Sequence, residues 1–202
     1  MNLLLLGMNH KTAPVEIRER LNIACTEDFN PLGEILEIPG IEEALYLSTC
    51  NRVEILVRSR EEAAAEERLK ALIFRHGNLN REELARCLYV YRDEDAVRHL
   101  FRVAASLDSL IMGEPQILGQ VKDAYRQAVE QEAAGIILNK LLHRAFRVAK
   151  RVRTETGLAS HAVSVSYAAV ELAKKIFGTL KGKKILLVGA GEMSELAARH
   201  LI

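Results

Sequence analysis

Seven residues, Ser48-Thr49-Cys50-Asn51-Arg52-Val53-Glu54, carry the most pointed chemistry in the chain. A cysteine stands among Thr, Asn and Arg, whereas a cysteine used only for packing has apolar neighbours. Arg52 lies two residues on, and a nearby cation raises the thiolate fraction of a thiol. Such a thiolate suits acyl transfer: it attacks an ester and keeps the acyl group as a thioester. A second stretch, Lys183 to Val188 followed by Gly189-Ala190-Gly191-Glu192-Met193-Ser194, reads as a buried apolar strand, a glycine turn and a helix start. That is how a dinucleotide-binding unit opens, with the pyrophosphate at the helix N-terminus. Ser194 occupies the place of the third glycine, so context rather than the bare pattern carries the reading. A hydride donor held there would reduce a thioester on Cys50 to an aldehyde.

The elements needed to position these groups are readable on both sides. Glu43 to Ser48 and Val53 to Arg58 are short, apolar and β-prone, so Cys50 is expected at the tip of a tight connection between two strands. Leu3 to Met8 reads as a buried strand and the segment after Pro14 as an amphipathic helix. Thr26-Glu27-Asp28 suggests a cap for a helix through Ile35, broken at Pro39-Gly40. Glu61 to His76 is a strong helix, Asn80 caps a short one, and Cys87 to Tyr91 is a strand. The order βαββαβ is that of a ferredoxin-like unit.

From Asp93 the chain reads as helical. One helix is expected to run to Gly113-Glu114-Pro115, with Val97, Leu100, Phe101, Ala104, Leu107 and Ile111 inward and Asp95, His99, Arg102, Ser106 and Ser109 on its polar side. The next brings Gln116 and Gln120 onto one face, four residues apart. A third, from about Ile137 to Val152, carries the basic stripe Lys140, Arg144, Arg147, Lys150 and Arg151. Such a stripe suits a phosphate backbone, although a solvated face is its commoner use. Thr154 to Ser160 reads as a domain break, and His161 to Phe177 as a helix.

The totals narrow the class. The 202 residues carry a formal net charge of +1, so no global field draws nucleic acid or membrane. Three cysteines, Cys25, Cys50 and Cys87, lack metal-type spacing and argue for a reducing compartment. No apolar run spans a bilayer and no signal peptide is legible, so a soluble cytoplasmic protein is expected. Three function classes fit: a thioester-forming reductase, an unrelated NAD(P)-dependent dehydrogenase with an incidental thiol, and, raised only by the resemblance given next, a non-catalytic tRNA-binding module.

Longer stretches decide among them. Gly7 to Pro14, Leu47 to Glu54, His99 to Ala104, Leu107 to Lys122 and Gly189 to Met193 together closely resemble the glutamyl-tRNA reductase family. The resemblance covers essentially the whole chain. It implies NADPH-dependent reduction of glutamyl-tRNA(Glu) to glutamate-1-semialdehyde, the first step of tetrapyrrole (porphyrin, haem) biosynthesis from glutamate. It implies Cys50 as nucleophile and His99 as a second catalytic position. Thr49, Asn51, Arg52, Ser109, Glu114, Pro115, Gln116 and Gln120 would bind substrate. Gly189, Ala190, Gly191, Glu192, Met193 and Ser194 would bind NADPH; no metal is required. The implied layout is an α+β, ferredoxin-like catalytic domain over 1–158, then the truncated start of a Rossmann-type NADPH domain over 159–202. Full-length members would be homodimers that hand product to glutamate-1-semialdehyde aminomutase. With the cofactor domain barely begun, this chain is expected to lack reductase activity.

Overall fold

The computed structural model describes residues 2–22, 31–77, 81–156, 158, 165–189 and 191–201. The caps expected at Thr26 to Asp28 and at Asn80, the residues 161–164, Cys25 and Ala190 lie outside the described residues.

Strands β1 (Leu3–Asn9), β2 (Ile41–Thr49), β3 (Arg52–Ser59) and β4 (Tyr89–Arg92) form one antiparallel sheet in the order β2-β3-β1-β4. Helices α1 (Val15–Asn22) and α2 (Pro31–Leu36) connect β1 to β2, and α3 (Glu62–Gly77) and α4 (Arg81–Cys87) connect β3 to β4. All seven residues of β1 are buried, so both faces of this central strand are covered. Register then sorts the side chains, because directly paired residues point to the same face. Leu4, Leu6 and Met8 pair with Val57, Ile55 and Val53. Val53 and Ile55 contact α1, α2 and α3 through Leu21, Ile35, Leu72 and Ile73. The alternate set, Leu3, Leu5, Gly7 and Asn9, pairs with Arg58, Leu56, Glu54 and Arg52. That face looks toward α5 (Asp93–Ala104), α6 (Gln116–Glu130) and α7 (Ile136–Glu155). The strict alternation of β3 therefore sends two charged side chains, Arg52 and Glu54, to the interior under α5.

Gly7 makes room for them. A Cβ at this position would stand 2.8 Å from Glu54 Cγ, 2.9 Å from the Val53 carbonyl oxygen and 3.1 Å from the Tyr89 ring. Backbone and packed ring cannot yield, so Gly7→Ala is expected to cost about 1–3 kcal/mol by overpacking. A urea melt reads this as a lower midpoint at unchanged slope; an unshifted midpoint would show that the sheet tolerates the methyl group.

Two expectations are corrected. The helix begun at Asp93 stops at Ala104 instead of running to Gly113. Ser106, with φ +63°, takes the left-handed position, and Ser106 N and Leu107 N donate to Val103 O and Arg102 O. This is a Schellman ending, which glycine normally signals; here serine fills it and the terminus is hidden from sequence. Residues 105–115 form a loop closed by Gly113 N donating to Ser106 O at 3.0 Å. Leu110 and Met112 are exposed, and Ser106 is buried.

The apolar run Lys183 to Val188 is not a buried strand. It forms no ladder with any described segment, and Leu186 and Val188 are 86% and 85% exposed. An isolated strand has no partner for its backbone groups and no sheet face to bury. Helix α8 (Val165–Phe177) packs on α9 (Glu192–Leu201) beside it. Among the described residues no helix is long and apolar enough to cross a membrane.

Candidate active site

Cys50 and Asn51 form a two-residue turn, since Thr49 already pairs with Arg52. Thr49 Oγ1 accepts from Asn51 N at 3.2 Å and Arg52 N at 3.1 Å, which fixes the turn from within. From outside, His10 N donates to Asn51 O at 2.9 Å, and Arg18 on α1 donates from Nη1 to Cys50 O. The backbone at the tip is thus held on three sides while the Cys50 residue itself is exposed. Nothing in the sequence marks Arg18, because its partners at the tip, Cys50 O and Asn51 Oδ1, lie more than 30 residues away.

The tip borders a cavity of about 320 Å³. Thr49, Cys50, Asn51 and Arg52 line one side, Ser109, Leu110 and Glu114 from the 105–115 loop another, and Gln116, Ile117 and Gln120 from α6 a third. Helical spacing puts both amides on one face of α6, as the sequence reading anticipated. Two nominated residues are not among the lining. Pro115 stands before α6, at its N-cap. His99 is 8% exposed and sits on the inward face of α5 with Leu100 and Val103, not on a polar side facing solvent.

His99 belongs instead to a charged network beneath the cavity. Its Nε2 donates to Glu54 Oε1 at 2.7 Å, and its ring stacks on Tyr91 with centroids 4.8 Å apart. The Tyr89 hydroxyl donates to the same Glu54 oxygen at 2.5 Å. Arg52, 1% exposed, donates from Nη1 to Glu54 at 2.7 Å and from Nη2 to Asp108 O at 2.6 Å and Asp108 Oδ2 at 3.2 Å. Asp108 also accepts from Lys11 Nζ at 2.5 Å and Asn9 Nδ2 at 3.2 Å. Arg52 is therefore turned toward two carboxylates rather than standing free beside the thiol. Its charge fixes the loop that supplies Ser109. Glu54, Tyr89 and Asp108 were not given roles from sequence; sheet register brings Tyr89 to Glu54, and the loop after α5 brings Asp108 to Arg52.

Burial opposes the charge on Glu54, yet the His99 hydrogen bond, the Arg52 charge and the Tyr89 hydroxyl together hold its carboxyl below the ordinary range. Asp108 is likewise depressed: burial opposes its charge, and Lys11 and Arg52 outweigh it. Burial and then Glu54's charge push the Tyr89 phenol up. Burial, followed by the Lys11 and Arg52 charges, lowers His10, whose Nδ1 is buried without a partner. For all three depressed groups the unfolded chain binds more protons in the window between the two pKa values, so stability rises with pH there and is lost as pH falls. Unfolding temperature is expected to decline in two stages on acidification. The first starts below about pH 6.5, from His10, and the second below about pH 4, from Glu54 and Asp108. Melts from pH 8 to 3 on the native chain and on His10→Gln test this: the variant should lose the first stage only.

An exposed thiol on a rigid tip, opposite hydroxyl, carboxyl and two amides, can hold a small polar acyl group and attack its carbonyl. Comparisons with known proteins bear on the family. The family described as "Glutamyl-tRNAGlu reductase, N-terminal domain" matches residues 6–156, and "Shikimate / quinate 5-dehydrogenase" matches residues 171–202. The glutamyl-tRNA reductase of Syntrophus aciditrophicus is 66% identical over 100% of this chain and 48% of its own length. That of Syntrophobacter fumaroxidans is 55% identical over 100% of the chain and 44% of its own length. The chain thus spans about half the length of the curated relatives it matches. A solved structure of the glutamyl-tRNA reductase from Methanopyrus kandleri superposes with a TM-score of 0.68 at 38% identity, over 99% of this chain and 46% of that one. From the match across 6–156 and the thiol cavity that these residues build, the chain belongs to the glutamyl-tRNA reductase family, of which it contains the N-terminal domain.

Proposed function

We propose that this chain supplies the thiol and the glutamate-binding cavity of an enzyme that reduces glutamyl-tRNA(Glu) with NADPH to glutamate-1-semialdehyde, opening tetrapyrrole synthesis. The observation that carries the reading is the exposed Cys50 on a braced hairpin tip, bordering a cavity lined by Ser109, Glu114, Gln116 and Gln120. The Cys50 thiolate attacks the ester carbonyl joining the glutamyl group to the terminal ribose. The carbon–oxygen bond breaks, the ribose oxygen takes a proton and leaves with the RNA, and the acyl group stays on sulfur. Thr49, Asn51, Ser109, Gln116 and Gln120 orient the glutamyl group by hydrogen bonds. Arg52 and His99 act through the buried network: Arg52 holds the loop that bears Ser109, and His99 keeps Glu54 aimed at Arg52.

The residues at 189–194 fit a dinucleotide in part. Gly189 has φ +104°, Gly191 has open space where a Cβ would stand, and α9 starts directly after them. Backbone amides at such a helix start receive a pyrophosphate. NADPH, when bound, supplies the hydride that takes the thioester to the aldehyde. The βαββαβ element order with strands 2-3-1-4 supports a ferredoxin-like description of the sheet, within a catalytic domain over 1–158. Residues 159–202 would open a Rossmann-type unit. A homodimer, transfer of product to glutamate-1-semialdehyde aminomutase and a cytoplasmic location complete the proposal for the full-length protein.

The test is mass spectrometry after mixing the chain with glutamyl-tRNA and quenching in acid. A glutamyl adduct on the Cys50 peptide is expected, and no semialdehyde when NADPH is added. Adduct elsewhere, or none, would remove the thioester step; semialdehyde would show that this length of chain already reduces.

A further inference from the structure

The net charge of +1 conceals a strong local imbalance. Helix α7 carries Lys140, Arg144, Arg147, Lys150, Arg151 and Arg153 against a single carboxylate, Glu155. Spacings of four, three and four put Lys140, Arg144, Arg147 and Arg151 on one exposed stripe, successive charges about 5–6 Å apart. Several exposed cations on other helices are paired with a neighbour on the same helix, Arg86 with Glu82, Arg98 with Asp95 and Arg126 with Asp123, while Arg20, Arg68, Arg102 and Lys175 stand singly rather than in a row. Lys140, Arg144 and Arg147 have no ion pair among the described residues; only Arg151 has one, with Glu155. A solvated helix face of ordinary kind alternates its signs. This one does not.

The stripe also borders a shape. Between α5 and α7 lies an open groove of about 710 Å³ whose floor includes Val97, Phe101 and Leu141 and whose rim carries Lys140, Arg144 and Arg147. The stripe leads to the candidate active site. Past its C-terminal end, Arg153 donates from Nη2 to Glu114 O at 2.8 Å, and Glu114 lines the cavity at Cys50. At 1.5 Å per residue, the cations from Arg151 back to Lys140 cover about 16 Å of helix running away from that cavity.

We propose that this stripe and groove are the docking surface for the sugar–phosphate backbone of the RNA that carries the glutamyl group. This rests on the substrate named above. A polyanion whose end is delivered to Cys50 must lay its next phosphates somewhere beside the cavity, and α7 carries a row of cations there of which only Arg151 has a carboxylate partner among the described residues. The contact is to backbone more than to bases, because the rim is cationic and the two rings lining the groove, Phe101 and His143, form no interleaved row, His143 being packed edge-on against Tyr125 and Phe146. It positions the substrate without reading its sequence.

The experiment measures binding of uncharged tRNA(Glu) transcript to the chain by fluorescence anisotropy at several salt concentrations, and adduct formation on Cys50 with the charged form. In Lys140→Ala/Arg144→Ala/Arg147→Ala the slope of log affinity against log salt is expected to fall by about 2–3, with weaker binding. The RNA concentration for half-maximal adduct rises with it, while the rate with glutamyl ethyl ester, which has no RNA, stays as in the parent. Lys140→Arg/Arg144→Lys/Arg147→Lys should keep the parent slope, which separates charge from folding. Arg86→Ala/Arg98→Ala/Arg126→Ala removes as many cations elsewhere and should also keep it. A parental slope in the α7 alanine variant overturns the proposal and leaves the groove to a protein partner; an equal loss in the second alanine set overturns it too. If the parent binds tRNA through α7 but forms no adduct, the docking surface stands and the thioester reading falls.

Discussion

Cys50→Ser is expected to abolish the glutamyl adduct, lowering its rate of formation by on the order of a thousandfold or more. Serine is close in size, and the turn is held by Thr49, His10 and Arg18 through backbone groups, so folding should be untouched. What is lost is sulfur, a far better nucleophile than a hydroxyl oxygen, which needs a base beside it to attack. Cys87 cannot stand in, because it is 5% exposed and burial pushes its thiol up. The measurement is quenched-flow mass spectrometry with glutamyl-tRNA alongside a thermal melt. Parental adduct kinetics in a folded serine variant would refute sulfur as the attacking atom.

The second large effect concerns stability. Arg52→Met removes the cation shared by Glu54 and Asp108 while Glu54 stays 3% exposed. An uncompensated buried carboxylate of this kind costs about 3–5 kcal/mol, a fall in melting temperature on the order of 10 °C for a chain this size. Arg52→Met/Glu54→Gln should recover part of that loss, because the stranded charge goes with its partner. Both variants should lose adduct formation, since the loop bearing Ser109 is no longer held through Asp108. Denaturant melts at pH 7 give the cycle. A single variant as stable as the parent would mean that the carboxylate is hydrated rather than buried.

The parts of the site legible in sequence are those governed by local spacing. Alternation on either side of Cys50 announced the hairpin, and a separation of four announced that Gln116 and Gln120 share a face. The parts that were not legible depend on register between distant strands. Arg52 and Glu54 share a face by plain alternation along β3, but Tyr89 reaches Glu54 only because β1 lies between β3 and β4, and Asp108 reaches Arg52 only because the chain turns after Ala104. His99 was misread for a related reason: helical periodicity extended past Ala104 grouped it with Ser106 and Ser109, whereas the chain turns at Ser106 with no glycine to say so. Leu186 and Val188 show the converse limit. An apolar run is written the same way whether or not a sheet lies alongside to receive it.

Helix α7 is clamped at both ends. Its first amides, Ile137 N and Leu138 N, donate to the buried Glu43 carboxylate on β2 at 3.2 and 2.7 Å, and Arg153 near its end grips the loop at Glu114. β2 continues into the hairpin that presents the sulfur, so both jaws of the pocket are bolted to one rod of 20 residues, about 30 Å long. The gap between those jaws is gauged like the opening of a caliper, by the span of its beam, and side-chain traffic at the mouth leaves that setting alone.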